Sequence, residues 1–494
     1  MYAKTTTSKA IANPPPPPSR GRAGVGVGSV HNSMLSTPIP LRQAQDRPNS
    51  PLAGGRSAVL RLVAKFAAAL VLVLPFAAQA ALPIQHWKST TGAEVYFVEN
   101  HDLPIVDVSV NFAAGSSQDT AAKAGMAALT QHMMALGANG QSDDQIANQL
   151  ADIGANLGGD FDVDRASLRL RTLSSEREKS AALTLLAALI QQPDFPAAVV
   201  EREKARTIAG LREAATQPES ISDKAFSAAL YGSHPYGLED AASPETVASI
   251  SRDDLLAFYR SHYTRNNAVV ALIGDLSREQ AEQLAEQMTE KLPQGNAQAA
   301  LSPVPLPTQA SETRIAHNAA QSHILLGYPG IKRGDPDYFP LYVGNYILGG
   351  GGFVSRLTEE VREKRGLVYS VYSYFSPLRE AGPFQIGLQT KREQTGEALK
   401  VVRETLKTFV DKGATAKELK DAKDNLIGGF ALRLDSNSKV LDYLAVIGFY
   451  GLPLSFLDDY TKQVNKVTVA QIKDAFARRI KPDNRVTVIV GETE

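Results

Sequence analysis

Cysteine is missing from all 494 residues, which excludes disulfides and thiolate metal sites. No G-x-S-x-G stretch marks a nucleophile elbow, so a Ser/His/Asp hydrolase is not written here. The four consecutive glycines at 349–352 are not followed by Lys-Ser or Lys-Thr, which rules out a phosphate loop and leaves a flexible turn at a helix start or a hinge. Net charge is also lacking, since 52 Lys and Arg balance 52 Asp and Glu. That balance is uneven along the chain: residues 1–80 hold nine basic residues and one acid, Asp46, leaving 43 basic and 51 acidic residues and a net charge of −8 beyond them. A mildly acidic chain gives no footing for nucleic-acid binding. What is present is ordinary for a globular protein: 43% apolar residues in a length that suits two or three domains.

Five prolines at 14–18 open a Gly/Arg/Ser/Pro-rich stretch, and residues 1–55 cannot bury a core. They are set aside as an extension, with Met34 suitably placed to start the element that follows. That element, residues 56–80, has the layout of a secretory signal. Arg56, Arg61 and Lys65 precede an apolar run at 66–76, and Ala78-Gln79-Ala80 supplies a small-residue cleavage site. The run is shorter than the roughly 20 residues of a transmembrane helix, so cleavage near Ala80 and no stable membrane span are expected. An exported chain without disulfides suits a bacterial periplasm, the expected location.

Residues 251–274 and 468–491 repeat one pattern at a constant offset of 217. Leu255 meets Ile472, Tyr259 meets Phe476, Asn267 meets Asn484, Val269 meets Val486 and Gly274 meets Gly491. Each copy runs from an amphipathic helix through an Asn turn into a short β-branched strand. Pro-spaced text at 291–311 reads as an extended linker between the copies. The expected fold is α+β, with two homologous domains at 81–290 and 312–494, each a mainly antiparallel sheet packed with helices. Strands are expected at 94–99, 105–113, 165–172, 323–328 and 383–390, and helices at 143–153, 180–191, 196–214 and 396–412. The strands at 165–172 and 383–390 alternate apolar with polar residues, as half-buried strands do.

Residues 125–137, GMAALTQHMMALG, have the frame of a helical zinc-hydrolase site. Such a site needs two His one turn apart to hold the metal, and an acid between them to deprotonate the attacking water. The corresponding residues are Ala128, Leu129, Thr130, Gln131 and His132. One ligand remains, the other is a methyl group, and a glutamine amide cannot act as a general base at neutral pH. A lone imidazole binds zinc weakly, so His132 by itself reads as a packing histidine.

This stretch resembles the inverted H-x-x-E-H motif of the insulinase-like (pitrilysin, M16) metallopeptidases. Gly125, Ala127, His132 and Met133 match its surroundings, while Ala128 and Gln131 stand where the first His and the Glu are expected. The resemblance extends over residues 81–494 and implies two similar α+β domains, as in insulinase and mitochondrial processing peptidase. It also implies a third zinc ligand, a Glu, about 77 residues beyond the second His, a count that lands on Ala209. Residues 348–372, LGGGGFVSRLTEEVREKRGLVYSVY, are similar to the second-domain signature of the family and place Arg362 and Tyr369 at its substrate-contacting pair. A guanidinium can grip a peptide carbonyl or carboxylate, and a phenol can donate to a developing oxyanion. Arg365 is nearer Tyr369 in sequence, but the family frame selects Arg362. His101, His234 and His262 are expected in structural roles.

The resemblance implies a catalytically degenerate, peptide-binding subunit of a zinc endopeptidase. Its partner would be a motif-bearing M16 paralogue in a heterodimer, with zinc held by that partner and no cofactor by this chain. A non-proteolytic peptide-binding or scaffold protein is the other reading. A neighbouring gene encoding an intact H-x-x-E-H chain distinguishes the two.

Overall fold

The computed structural model describes residues 82–296 and 299–491; the extension at 1–55 and the signal segment at 56–80 lie outside them. Strands β1 (Gln85–Lys88), β2 (Glu94–Glu99) and β3 (Ile105–Phe112) open the first half, and a two-residue ribbon follows from β4 (Gly137–Ala138) and β5 (Gln141–Ser142). With β6 (Asn156–Gly158), β7 (Ala166–Leu173) and β8 (Val269–Gly274), the first three complete a sheet ordered β1-β2-β8-β3-β7-β6. The second half has β9 (Ser311–Ile315), β10 (Gln321–Pro329), β11 (Val368–Phe375), β12 (Pro383–Lys391) and β13 (Val486–Val490), ordered β11-β12-β10-β13-β9.

The two sheets share one topology. In each, a single parallel pair, β2 with β8 or β9 with β13, sits beside antiparallel neighbours. The offset of 217 seen at the ends of the halves runs through both sheets: β2, β7 and β8 start at Glu94, Ala166 and Val269, and β9, β12 and β13 at Ser311, Pro383 and Val486. The helices Arg252–His262 and Val469–Arg479 keep it too.

The alternation on the strands has a different cause from the one expected. On β3, Val106, Val108, Val110 and Phe112 face the helices of their own half, but the intervening Asp107, Ser109 and Asn111 are buried as well. Each half lends the other a helix. Asn437–Tyr450 lies across β2, β3 and β8, and Pro218–Tyr231 lies across β10 and β13. Both sheets are therefore covered on both faces, and the polar row on the first sheet is answered by polar groups of the visiting helix. Arg169 of β7 pairs with Asp442 at 2.6 Å and donates to Ser438 Oγ at 2.8 Å. Asn100 donates to Asn437 at 3.0 Å. The approach is close enough to need glycine: a Cβ on Gly448 would stand 2.6 Å from Val269 Cγ1 and 2.7 Å from Tyr96 Cδ2.

Asp164 ties the halves at one point, accepting from the hydroxyls of Tyr236 (2.9 Å) and Tyr450 (3.0 Å) and from the backbone N–H of Arg379 (2.7 Å). The segment expected as an extended linker is tied to its neighbours. The repeated asparagines hold it at both ends, Asn267 donating to the Asn296 carbonyl and Asn484 to that of Pro307. His234 reaches the Ser302 carbonyl between them. Residue 311, placed in the linker by sequence, begins β9.

Candidate functional site

The helix Met126–Met133 starts at Gly125, whose φ of 97° is cheap only for glycine. Asp119 caps it, its two carboxylate oxygens accepting from Gly125 N and Ala127 N at 2.8 Å each. Burial pushes the Asp119 carboxyl up to about 7, against the pull of those N–H groups. Ala127, Leu129, Thr130 and Met133 face the core. Residues 128, 131 and 132, spaced three and four apart, share the opposite face.

That face holds no complete metal site. Among the described residues no cluster of three or more His, Cys, Asp or Glu side chains could hold a metal ion. His132 Nε2 lies 3.1 Å from Glu203 Oε2, and Glu203 Oε1 accepts from Arg202 Nε at 2.8 Å. Arg206 stands 3.9 Å from the same carboxylate, and Arg202 is in turn anchored on Asp143 at 2.8 Å. Burial opposes charge on Glu203, but the bonds from Arg202 and His132 more than offset it and hold its pKa below the ordinary glutamate value. Gln131 spends its amide on the Ser167 carbonyl of β7 at 3.0 Å. A zinc ion does not fit this set: one imidazole, a carboxylate already neutralised by a guanidinium, a methyl group and an amide.

The acid that faces the motif helix is Glu203, and Ala209, where the family count places the third ligand, stands apart from it. Both lie on the helix Ala197–Ala214, but Glu203 is buried while Ala209, six residues on and rotated away, is exposed. The fixed count of 77 skipped the carboxylate that geometry brings to His132. Ala128 and Gln131 supply neither ligand nor base, and Glu203 is the acid that reaches His132. Sequence carried a signal for Glu203: it follows Val200 by three residues and Val199 by four, on the helix stripe that packs inward.

In the second half, Arg362 sits in a π-helical turn, Thr358–Glu363, and Tyr369 at the start of β11. The register of β11 on β12 shifts between Val368 and Val371, and a bulge of this kind re-aims side chains. Tyr369 is 82% exposed and Phe353 70%. The Arg362 guanidinium carbon lies 5.5 Å from the Tyr369 ring centre and 4.8 Å from that of Phe353. Among the described residues its one ion pair is loose, 3.6 Å to Glu363. Arg365 is spoken for, bonded to the Glu360 carboxylate at 2.8 Å and carbonyl at 2.6 Å. Gly349 abuts β11, since a Cβ there would stand 2.4 Å from Ser373 Oγ.

The remaining histidines are held locally. His101 bridges Asp275 (2.6 Å) and Glu99 (2.8 Å) on the surface. His262 rests on Phe258, and burial lowers its pKa. His234 accepts from Tyr236 N as it donates to the linker.

Two family descriptions match the chain: "Insulinase (Peptidase family M16)" over residues 94–242 and "Peptidase M16 inactive domain" over 249–426. A crystal structure of a peptidase M16 inactive domain from Pseudomonas fluorescens is 39% identical, with a TM-score of 0.81, covering 84% of this chain and 98% of that one. A non-peptidase homolog from Helicobacter pylori is 28% identical over 83% of this chain and 94% of its own length. An uncharacterized zinc protease from Bacillus subtilis is 27% identical over 72% of this chain and 86% of its own. Names of both kinds surround the same fold, so the fold leaves catalytic competence to the site.

Proposed function

Since the chain belongs to the insulinase (peptidase M16) family, we propose that it is the catalytically degenerate, substrate-binding subunit of a zinc metalloendopeptidase whose zinc and general base reside in a second M16 chain. The observation that carries this reading is the contrast between the two halves. On the first, His132 and Glu203 satisfy each other, and Ala128 and Gln131 offer neither a ligand nor a base. On the second, Tyr369 is exposed, with the half-buried Arg362 against its ring, and the pair is scarcely used within the chain.

The division of labour follows from the chemistry. The partner's zinc would polarise the scissile carbonyl and its bound water, while Arg362 grips a peptide carbonyl or carboxylate and the Tyr369 hydroxyl donates to the oxyanion that forms. Substrate would lie extended along a sheet edge, where backbone hydrogen bonds are largely blind to side chains. The short edge strand β6 is well placed for this: Gly159, which directly follows it, lies against the Gln131 amide of the motif helix. Export through the segment at 56–80 and residence in a periplasm belong to the same proposal.

The test is assembly. Mixed with the M16 chain encoded beside it that bears an intact H-x-x-E-H, this chain is expected to elute from size exclusion as a stable heterodimer. Separate elution of the two at micromolar concentration would instead favour a free-standing scaffold or peptide-binding protein.

A further inference from the structure

Phe353 lies in the short turn Gly352–Val354, directly after the run of four glycines, and is 70% exposed. A phenyl ring left in water forgoes the burial that stabilises a fold, so packing gives no account of it. What the ring does meet is a cation. The Arg362 guanidinium carbon lies 4.8 Å from its centre and 5.5 Å from that of Tyr369, both inside the roughly 6 Å at which an aromatic face holds a guanidinium.

The turn that carries Phe353 is fixed on its neighbours. Gly349 lies against Ser373 of β11, and a Cβ on Gly351 would stand 2.7 Å from the Tyr346 carbonyl oxygen. Gly352 turns the chain with a φ of 60°, which is cheap only for glycine. Ser355 closes the turn, its Oγ donating to the Gly352 carbonyl at 2.8 Å and its N–H to the same carbonyl at 3.1 Å. Arg362 has no comparable anchor. Its contact with Glu363, at 3.6 Å, is longer than a hydrogen bond, and the Glu360 carboxylate is taken by Arg365 and Lys364. Two rings on fixed backbone, one from the glycine turn and one from the irregular start of β11, thus meet a long side chain that is otherwise loosely held.

We propose that Phe353 is a positioning residue, whose ring orients the Arg362 guanidinium beside Tyr369. A guanidinium lying against an aromatic face keeps its in-plane N–H groups free for a carbonyl or carboxylate. An arginine already ordered also loses less side-chain freedom when a peptide arrives. The role in turnover rests on the reading of Arg362 and Tyr369 as substrate-contacting groups, whereas the hold of Phe353 on Arg362 stands on this chain's geometry.

Two measurements keep those apart. In the full chain alone, the Arg362 Nε–Hε resonance, identified by its loss in Arg362→Lys, should carry a ring-current shift that Phe353→Ala reduces and Phe353→Tyr retains. In the mixture with the motif-bearing M16 chain, Phe353→Ala and Phe353→Leu should each lower kcat/KM on an unstructured peptide by about two- to fivefold, and Phe353→Tyr should restore it. In an Arg362→Ala background, Phe353→Ala should cost nothing further, because a residue that acts through Arg362 has no effect without it. An Arg362 resonance unmoved by Phe353→Ala, or an equal loss of activity with and without Arg362, would overturn the positioning role. A wild-type mixture that cleaves nothing would overturn the complementing reading instead, and the resonance would then decide by itself whether Phe353 holds Arg362.

Discussion

At the residue scale, the degenerate centre is a repaired site and not an empty one. Where a metal would neutralise Glu203, Arg202 and His132 do so, and the carboxylate stays charged although it is buried. Glu203→Gln is therefore expected to lower stability by about 1–3 kcal/mol in urea unfolding at neutral pH. The native contribution is present above the ordinary glutamate pKa and is lost as pH falls through the depressed one. Because His132 and Glu203 already face each other, Ala128→His combined with Gln131→Glu should take up one zinc per chain in metal analysis, and adding Glu203→Gln should abolish that uptake. Failure of the double variant to bind zinc while folded would mean that Arg202 holds Glu203 too firmly to release it. Sequence alone revealed the loss at Ala128 and Gln131, because those positions lie within one helical turn of His132. It gave no place to Glu203, because a residue count follows the chain and not the helix face that meets His132.

At the scale of elements, the strands were readable because each is a short β-branched or aromatic run with clear turn chemistry at its ends. Expected strands at 94–99 and 383–390 fall within a residue of β2 and β12, and the helix expected at 196–214 within a residue of Ala197–Ala214. The exchanged helices were not legible. Asn437–Tyr450 is buried on nearly all sides, so no amphipathic stripe marks which sheet it covers, and Pro218–Tyr231 serves a sheet some hundred residues later in the chain. The polar positions of β7 read as solvent-facing for the same reason. They face a helix whose origin lies in the other half. Gly448→Val is expected to destabilise the chain by about 1–3 kcal/mol in urea unfolding, through collision with Tyr96 and Val269, despite the better helix propensity of valine over glycine. An unchanged midpoint would contradict the close packing of the two halves.

At the scale of the whole molecule, several carboxylates are carried inside with too little compensation. Burial raises Asp119 and Asp223 to about 7, Glu239 to about 8 and Asp442 to about 6. A raised carboxylate pKa means that the folded state binds the proton more tightly than the unfolded one between the two values, so stability falls as pH rises through that window. Asp254 and Glu418, lowered to about 2, contribute in full above the ordinary carboxylate range and do not reverse the slope. The urea midpoint should therefore drop between about pH 5 and about pH 8, where Asp and Glu of ordinary pKa no longer titrate, and Asp223→Asn with Glu239→Gln should flatten the fall. The same molecule presents Tyr369 to the outside with the half-buried Arg362 against its ring, and the two are proposed to act on chemistry held by another chain. The most direct measurement is peptidase activity on an unstructured peptide, comparing this chain alone with the chain mixed with its motif-bearing neighbour. This chain alone should be silent and the mixture should show chelator-sensitive cleavage, reduced at least about tenfold by Arg362→Ala or Tyr369→Phe; zinc-dependent cleavage by this chain alone, or a mixture indifferent to both substitutions, would overturn the complementing role.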